Sequence, residues 1–186
     1  SNKYTMGNKV KKFEKIFAKY IGSKYAVMVN SGSSANLLAF ASFMYSKRNK
    51  LNKEDEIIVP ALSWSTSYSP IHQMGYKMKI VDIDLETLNY DLDSLKNALS
   101  KKTKAILIVN VLGNPNNFSA IKKIIKNKKI IMIEDNCESL GAKFNKKFSG
   151  TFGNIGTFSF YYSHHISTIE GGMIVTNNKE LYEIIL

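Results

Sequence analysis

The sequence predicts an α/β domain built on a mostly parallel, mixed sheet flanked by helices. Segments in which apolar residues recur at helical spacing alternate along the chain with short apolar segments, an order typical of βα units. Two of the short segments, "KAILIVNVLG" (residues 104–113) and "KIIMIEDN" (residues 129–136), are almost continuously apolar, as expected for strands buried on both faces. The chain has 186 residues, of which 44% are hydrophobic, so it is long enough for one domain with a substantial core.

The first half of the chain begins with a predicted helix over residues 10–21, where apolar residues follow helical spacing and Gly22 ends the pattern. A short buried strand is predicted at residues 25–30, and the small polar residues "SGSSAN" after it lead into a second helix. A strand at residues 56–61, a helix that ends at Gly75 and a strand at residues 77–84 complete this half.

The second half continues the alternation. A short helix is predicted at residues 91–100, entered from Asp91, and a second helix at residues 118–127 lies between the two apolar strands. The segments "GTFSFYYS" and "GMIVTN" are predicted strands on either side of a loop that contains two histidines. The final segment, "KELYEIIL", begins a helix at the end of the chain, so we expect residues 1–186 to be part of a longer polypeptide.

The net charge of +11 raises the question of a nucleic-acid partner. The lysines are scattered over predicted helix faces and loops, and the sequence contains neither a basic arm nor an aromatic RNA-binding signature, so we expect no nucleic-acid binding. An anionic small substrate is equally compatible with the charge. The single cysteine, Cys137, excludes an intramolecular disulfide and fits a reducing, cytoplasmic location. No signal-peptide core and no membrane-spanning apolar run is present, so we expect no membrane partner.

Ligands of open parallel sheets bind at the carboxyl ends of strands, so the residues that follow each predicted strand are the candidates for a site. The segment "SGSSAN" offers backbone N–H groups at a helix N-terminus, with the hydroxyls of Ser33 and Ser34 as further donors, and could bind an anion or simply cap the helix. Trp64 follows the next strand and would stack on a flat cofactor or fill the core. Asp135 ends an apolar strand and would bind a cation, such as a protonated ring nitrogen, or cap the following turn.

The adjacent histidines, His164 and His165, do not form a convincing metal site. Neighbouring residues in an extended segment point to opposite sides, and the third histidine, His72, is distant in sequence. We therefore expect no metal here. From the local sequence alone, His164 is either a buried, hydrogen-bonded histidine or a catalytic proton carrier.

The order of these segments resembles the pyridoxal 5'-phosphate (PLP)-dependent sugar aminotransferases of fold type I, the DegT/StrS-type family. Six landmarks carry the resemblance: "NSGSSANLL", "DEIIVPALSWSTS", "VDIDLETLNYD", "VNVLGNPNN", "IEDNCESLGAKF" and "GTFGNIGTFSFYYSHHISTIEGG". Each is weak alone, but six in the same order are highly specific. The resemblance extends from "YTMG", at Tyr4, to Asn177, and the "YTMG" segment aligns with a family segment near the sugar site. It implies an aspartate-aminotransferase-like large domain over residues 1–186, with a small C-terminal domain elsewhere in the polypeptide.

The resemblance also implies roles for the candidate residues. Asp135 would pair with the pyridinium nitrogen of PLP, and Trp64 would lie against the face of the ring. Glu138 occupies the place where aminotransferases of the family usually have glutamine, near the ring hydroxyl. The phosphate would be bound by three serines, Ser33, Ser34 and Ser159. His165 is expected to have a packing role only.

The main departure from the family pattern is at position 164. Aminotransferases of the family carry a lysine there, in a segment like Ser-Phe-Tyr-x-x-Lys ahead of Glu-Gly-Gly, and that lysine holds PLP as a Schiff base. The aligned residue in "SFYYSHH" is His164, and this exchange is the mark of the deoxysugar 3-dehydratases. An imidazole forms no stable imine with an aldehyde, but it can move protons near neutral pH.

The resemblance therefore implies a lyase with an aminotransferase-like first half-reaction. PLP would be held non-covalently, L-glutamate would convert it to pyridoxamine 5'-phosphate (PMP), and His164 would carry the protons. The substrate would be a 4-keto-6-deoxy nucleotide sugar that loses its C3 hydroxyl, with a GDP-linked mannose derivative favoured. The family also implies a homodimer with shared active sites.

Two alternatives remain at this point. A CDP-sugar 3-dehydrase shares the histidine but adds an iron–sulfur cluster, which needs several cysteines. A catalytically dead PLP-binding regulatory protein would also lack the lysine, although the retained Asp135, Trp64 and serines disfavour it. A plain aminotransferase is disfavoured by His164.

Overall fold

The computed structural model describes residues 6–126 and 128–186. Its helices are α1 (Asn8–Ile21), α2 (Gly32–Tyr45), α3 (Ser65–Gln73), α4 (Leu92–Ala98), α5 (Phe118–Ile125) and α6 (Lys179–Ile185). The strands are β1 (Tyr25–Val29), β2 (Glu56–Pro60), β3 (Lys77–Val81), β4 (Thr103–Val109), β5 (Ile131–Asp135), β6 (Lys143–Phe144), β7 (Lys147–Phe148), β8 (Ile155–Ser159) and β9 (Gly172–Thr176).

Seven of these strands form one sheet in the order β1-β9-β8-β5-β4-β2-β3. The pairs β2–β3, β2–β4, β4–β5 and β5–β8 are parallel, whereas β9 runs antiparallel to both of its neighbours, β1 and β8. The sheet is therefore mixed and mostly parallel, which confirms the predicted fold class.

Successive side chains along each strand point to opposite faces of the sheet, where they form two separate cores. On strand β2, Ile57 and Val59 contact the core covered by α2, α3 and α6, while Ile58 contacts the core covered by α4 and α5. Helix α1 adds Phe17 and Ile21 to a third cluster, against the β8 and β9 side chains on the face opposite α2. Continuous apolar strands in the sequence reflect this burial on both faces.

The predicted elements differ from the structure mainly at strand ends. Strand β3 ends at Val81, after which Asp84 accepts hydrogen bonds from the backbone N–H groups of Glu86 and Thr87 and closes a turn. Strand β4 ends at Val109 and continues into a 3₁₀ turn at Val111–Gly113. The predicted strand at residues 156–163 corresponds to β8, which ends at Ser159.

A small antiparallel hairpin, β6–β7, was not predicted from the sequence. Its turn residues Asn145 and Lys146 both have positive φ values, 48° and 66°, as two-residue hairpin turns require. Asparagine tolerates this conformation well, so Asn145 is a local signal for the hairpin.

The parallel strands place their carboxyl ends along one edge of the sheet. The loops after β1, β2, β4, β5 and β8 all contribute residues to the same cavity at that edge. Within the described part of the chain, no helix has both the length and the apolar character needed to cross a membrane.

Candidate active site

A cavity of about 730 Å³ lies at the carboxyl ends of the strands. This volume lies within the range that small-molecule and cofactor sites occupy, roughly 300–1,000 Å³. Its lining includes most of the predicted site residues: Ser33, Trp64, Asp135, Glu138, Ser159 and His164. The fold thus brings together side chains that are up to 131 positions apart in the sequence, from Ser33 to His164 (164 − 33).

Asp135 is the last residue of β5 and is only 4% exposed, with its carboxylate in a network of donors. Its Oδ2 atom accepts hydrogen bonds from Asn36 Nδ2 at 2.8 Å and from Ser67 Oγ at 2.7 Å. Its Oδ1 atom accepts one from the backbone N–H of Cys137 at 3.1 Å. Asp135 therefore caps the turn after β5 by accepting from the backbone N–H of Cys137, one of the two roles considered from the sequence. It also lines the cavity.

The loop between β1 and α2 approaches the cavity with its backbone. Ser31 caps α2, because its Oγ accepts a hydrogen bond from the backbone N–H of Ser34 at 3.1 Å. A Cβ atom added at Gly32 would lie 2.6 Å from Ser159 Cβ and 2.9 Å from Cys137 Sγ. Only a glycine allows this approach, which leaves backbone N–H groups of a helix N-terminus next to the Ser159 hydroxyl.

Ser33 and Ser34 differ in their surroundings. Ser33 is exposed and lines the cavity, whereas Ser34 is not among the lining residues. The hydroxyl of Ser34 accepts a hydrogen bond from Ser31 Oγ at 3.1 Å, so Ser34 takes part in the helix cap. The capping interpretation of "SGSSAN" is therefore confirmed through Ser31 and Ser34. Phosphate binding by Ser33 and Ser34 remains a prediction.

Trp64 immediately precedes α3 and is 72% exposed at the cavity. The core-filling alternative is therefore wrong in this structure. A large aromatic side chain left in solvent beside a cavity has a free face on which a planar ligand can stack.

His164 lies on the loop that joins β8 to β9, and it is half-buried where it lines the cavity. Its backbone N–H donates to Tyr161 O at 2.9 Å, and the centroids of the two rings are 6.2 Å apart in an edge-to-face arrangement. Phe160 fixes the base of the loop, since its N–H donates to Gly171 O and its carbonyl accepts from Thr168. His165 is exposed and is not among the lining residues.

Glu138 reaches the cavity from the turn after β5. Its Oε2 atom accepts a hydrogen bond from the backbone N–H of Leu112 at 3.2 Å. Leu112 has a φ value of 50°, an unusual conformation for a leucine, and is itself part of the lining. The side chain of Glu138 is thereby tied to the loop after β4.

Glu134, the neighbour of Asp135 in β5, points away from this network and is fully buried. Its carboxylate accepts backbone N–H bonds from Gly150 at 2.6 Å, Phe152 at 2.6 Å and Gly153 at 2.5 Å. Burial raises the pKa of Glu134 to about 7, although the three donors act in the opposite direction. Glu134 thus fastens the loop that leads into β8.

The sequence did not single out Asn36 and Ser67, which donate to Asp135, or Thr157, which donates to Asn36. They come from α2, α3 and β8 and meet Asp135 only through the tertiary fold. Their positions inside the landmarks "NSGSSANLL", "SWSTS" and "GTFSF" were the available signal.

Among the described residues, no group of three or more His, Cys, Asp or Glu side chains is arranged to hold a metal ion. Tyr4, in the "YTMG" segment, lies outside the described residues.

The sequence profile of the DegT/DnrJ/EryC1/StrS aminotransferase family matches residues 1–186. GDP-4-keto-6-deoxy-D-mannose 3-dehydratase from Escherichia coli O55:H7 (strain CB9615 / EPEC) is 60% identical over 186 residues, which are 100% of this chain and 48% of the relative.

Solved structures agree with this likeness. A point variant of GDP-4-keto-6-deoxymannose-3-dehydratase with bound GDP-perosamine has a TM-score of 0.96 and 60% identity, over 98% of this chain and 47% of the neighbour. The same enzyme with a trapped PLP-glutamate geminal diamine has a TM-score of 0.96 and 60% identity, over 97% and 47% of the two chains. The chain thus spans about half the length of the curated relative it matches.

Proposed function

The chain belongs to the DegT/DnrJ/EryC1/StrS aminotransferase family, and on this premise we propose that the protein is a PLP/PMP-dependent 3-dehydratase. It removes the C3 hydroxyl of a 4-keto-6-deoxy nucleotide sugar, with GDP-4-keto-6-deoxy-D-mannose as the substrate and L-glutamate as the amino donor. The observation that carries this proposal is the presence of His164, rather than lysine, in the same cavity as Asp135.

The residues of the cavity fit PLP. The close approach of Gly32 to Ser159 forms a cradle that a Cβ atom would fill, and a phosphate accepts hydrogen bonds from N–H groups and hydroxyls of this kind. Asp135 supplies the carboxylate that a protonated ring nitrogen needs, and Trp64 supplies an exposed aromatic face. We assign phosphate binding to Ser33 and Ser159, with Ser34 at the edge of the cradle, and the vicinity of the ring hydroxyl to Glu138.

When bound, the cofactor supplies an electron sink and an amino group, which protein side chains lack. The part left to the protein is to hold the ring and to move protons. His164 is suited to the second task because an imidazole gains and loses a proton near neutral pH. It cannot hold the cofactor covalently, so Asp135 and the serine cradle must retain it.

The overall reaction balances without a further reductant. Glutamate loses two electrons and its amino group, giving 2-oxoglutarate and ammonia. The sugar gains the two electrons as its C3–OH bond is replaced by C3–H, and the water released in that step equals the water consumed by the glutamate half. The product is a 4-keto-3,6-dideoxy nucleotide sugar.

We further propose that the protein is a homodimer with active sites shared between subunits. Large apolar side chains stand exposed beside the cavity, among them Leu62, Trp64, Leu112 and Tyr162, and a second subunit would cover part of this surface. Residues 1–186 would be the PLP-binding large domain, with a small C-terminal domain elsewhere in the polypeptide. A cytoplasmic location is supported by the single cysteine, which forms no disulfide. Sedimentation of the full-length protein tests the dimer.

The proposed function is tested with the full-length protein, PLP, L-glutamate and GDP-4-keto-6-deoxy-D-mannose. We expect a nucleotide-sugar product lighter by one oxygen atom in the mass spectrum, with one 2-oxoglutarate formed per product. His164→Asn should abolish the product, while His165→Asn, the matched change at the exposed neighbour, should retain it. Formation of an amino sugar instead of the lighter ketone would identify an aminotransferase and refute the proposal.

A further inference from the structure

We infer that Asn36 and Ser67 are positioning residues for the Asp135 carboxylate. By donating hydrogen bonds to it, they keep the proton that the carboxylate shares with the ring nitrogen of the bound cofactor on that nitrogen. The inference rests on the proposed function and deepens it by assigning a role to two residues that act through Asp135. It starts from the two hydrogen bonds that converge on one oxygen of Asp135.

The Asn36 side chain can only donate to Asp135 in its observed orientation. Its amide oxygen accepts a hydrogen bond from Thr157 Oγ1 at 2.6 Å, which directs the amide nitrogen toward Asp135 Oδ2 at 2.8 Å. The reversed amide would place an oxygen against the carboxylate. A proton on Oδ2 would therefore face an N–H group that cannot accept it.

Ser67 is placed in a similar way from another helix. Its hydroxyl donates to Asp135 Oδ2 at 2.7 Å and in turn accepts a hydrogen bond from Ser63 Oγ at 2.8 Å. Since Ser63 supplies the proton to Ser67, the single hydroxyl proton of Ser67 is directed to Asp135. Both Asn36 and Ser67 are buried, and Ser67 also lines the cavity.

This arrangement matters because a proton between a carboxylate and a pyridine nitrogen is shared. A carboxylate that loses hydrogen-bond donors becomes a stronger base and takes a larger part of that proton. The ring nitrogen then becomes more nearly neutral, and the ring is a weaker electron sink. Asn36 and Ser67 act on the reaction through this balance.

The test measures the ring nitrogen directly. Full-length protein is saturated with PLP that carries ¹⁵N in the ring, and the ¹⁵N chemical shift is recorded across pH for the wild type, Ser67→Ala and Asn36→Leu. We expect a protonated ring nitrogen in the wild type. Each variant should move the resonance toward the neutral pyridine value, with the ratio of ring-protonated to carboxyl-protonated forms falling roughly tenfold per lost hydrogen bond.

Two further variants separate this role from a structural one. Ser69 lies on the same helix as Ser67, but its hydroxyl donates to Ser65 O. Ser69→Ala should therefore leave the ¹⁵N shift unchanged. Ser67→Thr keeps the hydroxyl and should restore the wild-type shift. A Ser67→Ala resonance identical to that of the wild type overturns the inference and leaves the proposed function standing. A wild type that does not bind PLP overturns both.

Discussion

Asp135 and Thr157 are register partners on the adjacent parallel strands β5 and β8, and their side chains both hydrogen-bond to Asn36. The direction of the Asp135 carboxylate is therefore fixed by strand pairing and by helix α2 together. The same two strands lead into the turn that carries Glu138 and the loop that carries His164. The geometry of the cavity thus depends on the register between β5 and β8.

Gly32, at the proposed phosphate site, gives a prediction about stability and binding. Gly32→Ala should destabilise the fold by about 1–3 kcal/mol, because its Cβ would overlap Ser159 and Cys137 in a packed region. Urea denaturation measures this loss, and PLP titration should show weaker binding. Ser33→Ala is the matched control: Ser33 is exposed, so its stability should be unchanged while PLP binding weakens. A Gly32→Ala variant as stable as the wild type would contradict the packing described at Gly32.

The buried carboxyl group of Glu134 gives a prediction about pH. Its pKa rises from 4.5 to about 7 on folding, so the folded state binds more protons than the unfolded state in that interval. The free energy of unfolding should therefore fall as the pH rises from about 4.5 to about 7, and stay level above it. The total is about 3 kcal/mol, since one pKa unit corresponds to about 1.36 kcal/mol.

Denaturation curves at several pH values measure this slope. Glu134→Gln should flatten it, at the expense of the acceptor for one backbone N–H group of the loop at Gly150. Glu86→Gln, an exposed change at the surface, is the control and should keep the wild-type slope. A slope that persists in Glu134→Gln would assign the titration to another group.

Some features of the fold are encoded locally in the sequence. Gly22 ends α1 with a left-handed φ of 79°, and Asp91 caps α4 through the backbone N–H of Ser94, both as the sequence predicted. Asp135 was identifiable because a charged residue that ends an apolar strand is unusual. Its donors were not: Asn36 and Ser67 lie 99 and 68 positions away, and nothing local to them indicates a carboxylate partner. The local sequence did not predict the exposure of Trp64, since a lone tryptophan more often fills a core, and only the family resemblance implied a place for it beside a cofactor.

The exposed Trp64 gives a spectroscopic prediction. If its ring stacks on PLP, the part of the fluorescence that disappears in Trp64→Phe should be quenched when PLP is added to the wild type. The difference between the two proteins isolates Trp64 from any other fluorophore in the full-length chain. Tyr45→Phe is the control, because Tyr45 is equally exposed, at 73%, but outside this cavity, and it should keep the quenching. Fluorescence from Trp64 that is insensitive to PLP would exclude stacking.

The central claim is that the imidazole of His164 moves protons at the position where the family resemblance implies a cofactor-binding lysine. The most direct measurement compares His164→Lys with His165→Lys in the full-length protein. Each variant is incubated with PLP and reduced with borohydride, the mass of the protein is measured, and its dehydration activity is assayed separately. We expect His164→Lys to gain the mass of one reduced cofactor and to lose most of its dehydration activity, while His165→Lys does neither. Dehydration at the wild-type rate in His164→Lys, with or without the cofactor link, would contradict it.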